Sequence, residues 1–160
     1  MAVVIRRASL EELPAIIKIQ HSAFEIESRL YGGRPIPPMW ETVDDVAADW
    51  PSTLVLVAEV DGQIVGSVRG RLDGDTCHVG RLSVHPEHQG RGVGTQLMLA
   101  VEEAFPQARR FELFTGHLSE RNLRLYGRIG YVEFRREPVG DGVWLVYMQK
   151  DGTTVSASSA

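Results

Sequence analysis

The sequence predicts a mixed α/β fold: a largely antiparallel central sheet of about six to seven strands, flanked by about four helices. Three observations carry this. From Leu54 onward, apolar runs are separated by Asp61-Gly62 and Asp73-Gly74, dipeptides that turn one antiparallel strand into the next. Apolar residues recur at helical spacing over 13–24, 97–105 and 123–130. Strand-like runs at 111–114, near 131–137 and near 143–149 alternate with and follow those helices.

The elements follow in chain order. Val3-Val4-Ile5 is a short strand. Ser9 and Glu12 have capping-box spacing, and Leu13, Ile16, Ile17, Gln20 and Phe24 then mark a helix. Pro14 sits near its start, where the lost backbone bond matters least. Residues 22–51 read as irregular, with one short helix over 41–49. Strands near 53–60, 63–72 and 76–85 form a meander, with type I′ turns expected at both Asp-Gly pairs. A helix follows the glycine-rich segment 89–95 and is stopped by Pro106. Ser119 is placed as the cap of the next helix and Gly130 as its stop. The last two strands are joined through Gly140-Asp141-Gly142. The order is strand, helix, helix, three strands, helix, strand, helix, two strands.

The 160 residues suit a single domain, expected over 1–150, with a small polar tail over 151–160. No apolar run approaches the roughly 20 residues of a membrane span, so no membrane partner is expected. The segment Met1–Arg7 lacks the order of a secretory signal. The lone Cys77 forbids an internal disulfide and suits a reducing, cytoplasmic setting. A formal charge of −4 argues against a nucleic-acid partner.

One strand carries an irregularity. Cys77 and Val79 are apolar at odd positions, whereas Leu82 and Val84 are apolar at even ones. Strand side chains alternate with period two, so the pattern slips near Gly80-Arg81. Either a β-bulge inserts one residue there, or one polar residue points inward.

The segment Gln89-Gly90-Arg91-Gly92-Val93-Gly94-Thr95 joins this strand to a helix. Glycines let the backbone approach a ligand, and a helix N-terminus offers free N–H groups; together these bind phosphate. The plainer reading is a tight turn with no ligand. A P-loop needs a lysine after its last glycine, and none is present. A dinucleotide fingerprint needs glycine where Thr95 stands, and a parallel βαβ unit.

Gln-x-x-Gly-x-Gly, here Gln89, Gly92 and Gly94, resembles the acetyl-CoA pyrophosphate loop of the GCN5-related N-acetyltransferase (GNAT) family. The likeness runs through Leu82–Gly94. Downstream, Asn122-Leu123-Arg124-Leu125-Tyr126 with Ile129-Gly130-Tyr131 resembles the family's second motif. The element order agrees over about 3–150.

The resemblance implies acetyl-CoA as co-substrate, no metal, and a cofactor opening between the fourth and fifth strands. It implies that the backbone of Leu82, Ser83 and Val84 pairs with the pantetheine arm. The N–H groups from Gln89, Gly90, Arg91, Gly92, Val93, Gly94 and Thr95 would hold the pyrophosphate. Asn122 would contact the thiol end, or else support the Ser119 cap. Tyr126 would give a proton or hydrogen bond to the leaving thiolate, or else be a core tyrosine. A free amine is the nucleophile, so a base is needed. His78 stands where some relatives carry a glutamate; it is either that base or a strand histidine without a catalytic role. Glu112 and a water chain are the alternatives. His85 and His88 read as loop residues without metal-site company. Cys77 suggests an acetyl-cysteine intermediate, but buried structural cysteine fits better, so direct transfer in a ternary complex is expected.

The acceptor is a small-molecule or peptide amine. Glu25, Glu27, Tyr31, Trp40, Glu41, Asp44 and Asp45 form either a surface that attracts a cationic amine or a merely solvated acidic one. The rival readings are a non-catalytic acyl-CoA-binding module and a nucleotide-binding domain. Dimers are common in the resembled family, which leaves a homodimer open.

Overall fold

The computed structural model describes residues 2–152. Its strands are β1 (Val4–Arg7), β2 (Leu54–Val60), β3 (Gln63–Asp73), β4 (Thr76–Val84), β5 (Arg110–Gly116), β6 (Val132–Gly140) and β7 (Val143–Asp151). Its helices are α1 (Leu13–Ser28), α2 (Pro37–Trp40), α3 (Val43–Ala48), α4 (Val93–Glu103) and α5 (Glu120–Arg128). One seven-stranded sheet runs in the order β1-β2-β3-β4-β5-β7-β6, antiparallel throughout except for β4 beside β5.

Each face of the sheet carries a core. On one side Leu97, Met98 and Val101 of α4 pack with Tyr126 of α5 over Cys77, Val79, Phe111 and Val146. On the other side Leu13, Ile16 and Ile17 of α1, with Val46 of α3, cover Val55 and Val57. A fully buried aliphatic side chain contributes about 1.5–3 kcal/mol, so these two stripes fix which way each helix turns.

The turns follow backbone chemistry. Asp61 and Gly62 both have positive φ, as a type I′ hairpin requires, and Asp141-Gly142 repeats the pattern. Asp73-Gly74 does not. Asp73 pairs with Thr76, so Gly74 and Asp75 are the central residues, and only Gly74 (φ 61°) is left-handed, the II′ pattern.

Other expectations shift as well. The first strand begins at Val4 and reaches Arg7. The Ser9 box is present, its backbone N–H donating to Glu12 (2.9 Å), but it opens a 3-10 turn ahead of α1. The stretch 22–51 is more regular than expected: α1 continues to Ser28, and α2 is an additional single turn. The helix after the glycine segment ends at Glu103, before Phe105. The expected tail loses its first two residues, because Asp151 pairs with Arg110 and the Gly152 N–H donates to the Arg109 carbonyl (2.7 Å). The rest of it, 153–160, lies outside the described residues. No helix among the described residues is long and apolar enough to cross a membrane.

Candidate active site

The site begins where two parallel strands part. β4 and β5 pair only at Thr76–Arg110, Cys77–Phe111 and His78–Glu112. Beyond that seam, β4 runs on to Val84 and β5 to Gly116 without touching in register. The strand slip proves to be a bulge. Ser67 of β3 faces Ser83, but Arg69 faces Gly80, so Arg81 and Leu82 together oppose one residue. Arg81 takes a left-handed conformation (φ 53°) to make it.

The bulge sets which backbone groups are left unpaired. The His85 N–H donates to the Val65 carbonyl (2.7 Å). By the two-residue alternation of an antiparallel ladder, Ser83 also turns its N–H and C=O toward β3. Those of Leu82 and Val84 therefore face the parted side, where the Val84 carbonyl already accepts from the Gln89 side chain (3.2 Å) and the Val84 N–H and the Leu82 groups are left to the cavity. Ser83 is buried, and its hydroxyl donates to the Arg81 carbonyl (3.1 Å), so it braces the bulge rather than offering a free edge.

A cavity of about 950 Å³ occupies the parting. Leu82 and Val84 form one wall, Phe24 and Glu27 of α1 another, and Asn122 and Leu125 of α5 a third. The glycine segment closes one end. Gly90 (φ 76°) and Gly92 (φ 82°) are left-handed, and Gly92 is the N-cap of α4. The first intrahelical bond runs from Gln96 N–H to Gly92 C=O (3.0 Å), so the N–H groups of Val93, Gly94 and Thr95 have no carbonyl one turn back. They carry the positive end of an eleven-residue helix. Gln89 acts through its side chain, donating to the Val84 carbonyl (3.2 Å) and accepting from Arg121, which pins the loop to β4 and α5. Arg91 is exposed and is not part of the cavity wall.

Sequence reasoning found Asn122 but missed the arginines of this third wall. Arg121, Arg124 and Arg128 all line the cavity from α5. Their i, i+3, i+7 spacing was readable as one helical face. His88 lines it too, and its Nδ1 is buried without a hydrogen-bond partner among the described residues.

Asn122 donates weakly to the Thr115 hydroxyl (3.4 Å), tying α5 to β5 at the cavity. Tyr126 lies in the core, its ring 6.1 Å from that of Tyr131, and it is not part of the cavity wall. Its hydroxyl makes no hydrogen bond among the described residues. Burial, and then the Glu27 charge, pushes its pKa above the usual phenol range, so it stays protonated.

Ser119 does not cap α5 with its side chain. Its hydroxyl donates to Glu27 and is joined by the Tyr31 hydroxyl (2.7 Å), which also accepts from the Leu118 N–H (3.0 Å). Tyr31 crosses β5 at Gly116, where a Cβ would stand 2.0 Å from the phenol oxygen. Of the expected acceptor residues, Glu27 lines the cavity and Tyr31 is bound to its partner Ser119. The other two stand elsewhere: Glu25 pairs with Arg29 (3.7 Å) and Trp40 is exposed on α2. Of the remaining carboxylates, Asp44 and Asp45 are exposed on α3 and Glu41 is not. Asp45 caps α3 through Thr42, and Glu41 is enclosed by Arg69 (2.6 Å) and Arg81 (3.3 Å).

His78 and Glu112 meet at the end of the seam. His78 Nδ1 is 3.9 Å from Glu112 and Nε2 is 3.9 Å from Asp73. Glu112 is held by Arg110 (2.8 Å). Cys77 is fully buried on the opposite face, and burial pushes its thiol up to about 12.

The family model described as the Acetyltransferase (GNAT) family matches residues 14–131. Several solved structures share the fold. The PaiA N-acetyltransferase of Thermoplasma acidophilum, in complex with coenzyme A, is 17% identical with a TM-score of 0.74, covering 94% of this chain and 99% of that one. An N-acetyltransferase from Staphylococcus aureus is 18% identical with a TM-score of 0.76, over the same shares. Salmonella typhimurium yncA, with its cofactor acetyl-CoA, is 21% identical with a TM-score of 0.74, covering 94% of both chains.

Proposed function

The chain belongs to the GNAT acetyltransferase family, an acetyl-CoA-dependent class, and we propose that its single domain transfers the acetyl group to a primary amine by direct attack in a ternary complex. One observation carries the reading. An open strand edge at Leu82 and Val84 leads into a glycine-lined helix N-terminus, along a wall of three arginines. That sequence of features suits a ligand with an amide-bearing arm at one end and phosphates at the other.

In this reading the arm bonds to the Leu82 and Val84 backbone, and the pyrophosphate sits on the N–H groups of Val93, Gly94 and Thr95. Gln89 holds the loop in place, and Arg121, Arg124 and Arg128 offset the phosphate charge. Asn122 lies along the arm. The amine loses its proton to His78, directly or through water; Glu112, already committed to Arg110, and Asp73 stand 3.9 Å from its two ring nitrogens and favour the charge it gains. The nitrogen attacks the thioester carbonyl, the new C–N bond forms and the C–S bond breaks. To Tyr126, kept protonated by burial and coupled by charge to Glu27 of the cavity wall, the reading assigns the hydrogen bond to the departing sulfur. The buried, protonated Cys77 favours direct attack over an acetyl-cysteine. Glu27 borders the cleft, and Tyr31 braces it through Ser119.

Calorimetric titration with acetyl-CoA, followed by thiol release over a panel of primary amines, tests this. Tight binding with turnover is expected. Gly92→Ala forces a left-handed alanine, a strain of about 1–3 kcal/mol, and should weaken binding roughly tenfold or more. Binding without turnover on any amine would favour a non-catalytic acyl-CoA module. No binding would overturn the reading.

A further inference from the structure

A second cavity, of about 300 Å³, lies beside the bulge, against β3 and β4. Its floor and walls come from the strand register: Arg69 faces Gly80 and Arg71 faces His78, so all four share one face. Arg81 reaches it from the bulge, and Asp49 and Thr53 stand at its edge.

Among the side chains that line this cavity the arginines outnumber the carboxylates, with Asp73 and Glu112 each 3.9 Å from His78 at its end. Three arginines face two carboxylates, Glu41 and Asp49. Glu41 serves both Arg69 and Arg81. Arg69 Nε is buried with no hydrogen-bond partner. The exposed Arg71 side chain makes no ion pair or hydrogen bond among the described residues. Gly80 adds a second, independent sign. Its φ is not left-handed, so the backbone does not require glycine, and a Cβ there would meet nothing within 4 Å. A glycine inside a strand, over open space, leaves room for something to approach.

The cavity also lies at the right end of the site. β4 passes both cavities, with Val84 and Leu82 in the larger one and Arg81 and Gly80 in the smaller. Phosphates held by the glycine segment occupy the Val84 end. Gly80 lies roughly 13 Å further along the strand, at about 3.3 Å per residue. The reactive end of an arm laid along β4 therefore faces the smaller cavity, next to His78.

We infer that this cavity holds a carboxylate or similar oxyanion carried by the acceptor, so that the acetylated amine belongs to an anionic small molecule. The inference rests on the acetyl-transfer reading and replaces the cationic acceptor expected from sequence. Guanidinium groups suit it because they bind carboxylates through paired N–H donors.

Thiol release is to be compared for an amino acid, its aminophosphonate counterpart, its carboxamide and the decarboxylated amine. The carboxylate should exceed the carboxamide and the plain amine at least about tenfold in kcat/KM; a phosphonate preference would identify the same site with a bulkier oxyanion. Arg71→Gln, at an exposed position that the fold tolerates, should reduce that ratio below about threefold through KM, and Arg71→Lys should restore part of it. A preference for the uncharged amines, or a ratio unchanged in Arg71→Gln, would overturn the inference. If no amine turns over, the N-acetylated amino acid is titrated into the CoA-loaded protein. Binding that Arg71→Gln weakens supports the site. Absent binding in a protein that still takes up acetyl-CoA refutes it and leaves acetyl-CoA binding standing, whereas failure to take up acetyl-CoA refutes the parent reading.

Discussion

Replacing Glu41 by Gln removes the charge on which the interior of the smaller cavity depends. Its carboxylate accepts from Arg69 Nη1 (2.9 Å) and Nη2 (2.6 Å), Gln20 Nε2 (2.9 Å) and Arg81 Nε (3.3 Å). Burial alone would raise its pKa, but Arg69, Gln20 and Arg81 outweigh burial and bring it from 4.5 to about 2. That difference corresponds to about 3 kcal/mol of preference for the charged form. It agrees with the 3–5 kcal/mol or so that breaking a buried pair costs when one charge is stranded, here Arg69. For a chain of this length each kcal/mol moves Tm by about 2–4 °C, so Glu41→Gln should melt about 6–12 °C lower at pH 7. The sign with pH follows from the lowered folded value. The contribution is complete above about 4.5 and is lost as pH falls toward 2. Circular-dichroism melts of both proteins from pH 7 to pH 2.5 check this, and the gap should shrink to roughly a quarter at the acid end. A Tm within about 2 °C of wild type at pH 7, or a gap that persists undiminished in acid, would refute the reasoning.

Two further outcomes follow from the cleft. Tyr126→Phe should lower kcat about a hundredfold and leave acetyl-CoA affinity within about twofold, because the hydroxyl acts on the departing sulfur; single-turnover kinetics with a kcat near wild type would remove it from the chemistry. Cys77→Ala should cost a few degrees of Tm by opening a small void in the core, with kcat within about twofold; a collapse in kcat with the fold intact would restore the acetyl-cysteine route.

The features readable from sequence were those fixed by short-range chemistry. Gly90 and Gly92 declare a backbone that other residues resist, and the odd-to-even change between Val79 and Leu82 locates an irregularity that the register with β3 then resolves as a bulge. The seam between β4 and β5 followed from family likeness, not from periodicity. What escaped depends on distant partners. Ser119 had the composition of a helix cap, but Glu27 and Tyr31, remote in the chain, claimed its hydroxyl. Glu41 looked like one of a row of exposed acids until β3 and β4 brought Arg69 and Arg81 against it. Asp73-Gly74 had turn composition, but the register of the flanking strands moved the turn by one residue. The arginines of α5 were visible as a helical stripe; only the cavity says what they face.

Three residue pairs are all that stitch the four-stranded N-terminal meander to the β5-β7-β6 half in register. Such a sheet is a mended fabric, with its tear running along the functional groove. In the proposed complex the acetyl donor lies along that tear and supplies rungs that the chain itself omits. Occupancy then becomes a mechanical property: at a hundredfold excess over Kd a ligand selective for the folded state adds about 2.7 kcal/mol. The enzyme would be most resistant to unravelling while the donor or its spent coenzyme A fills the groove, and loosest between the departure of one and the arrival of the next.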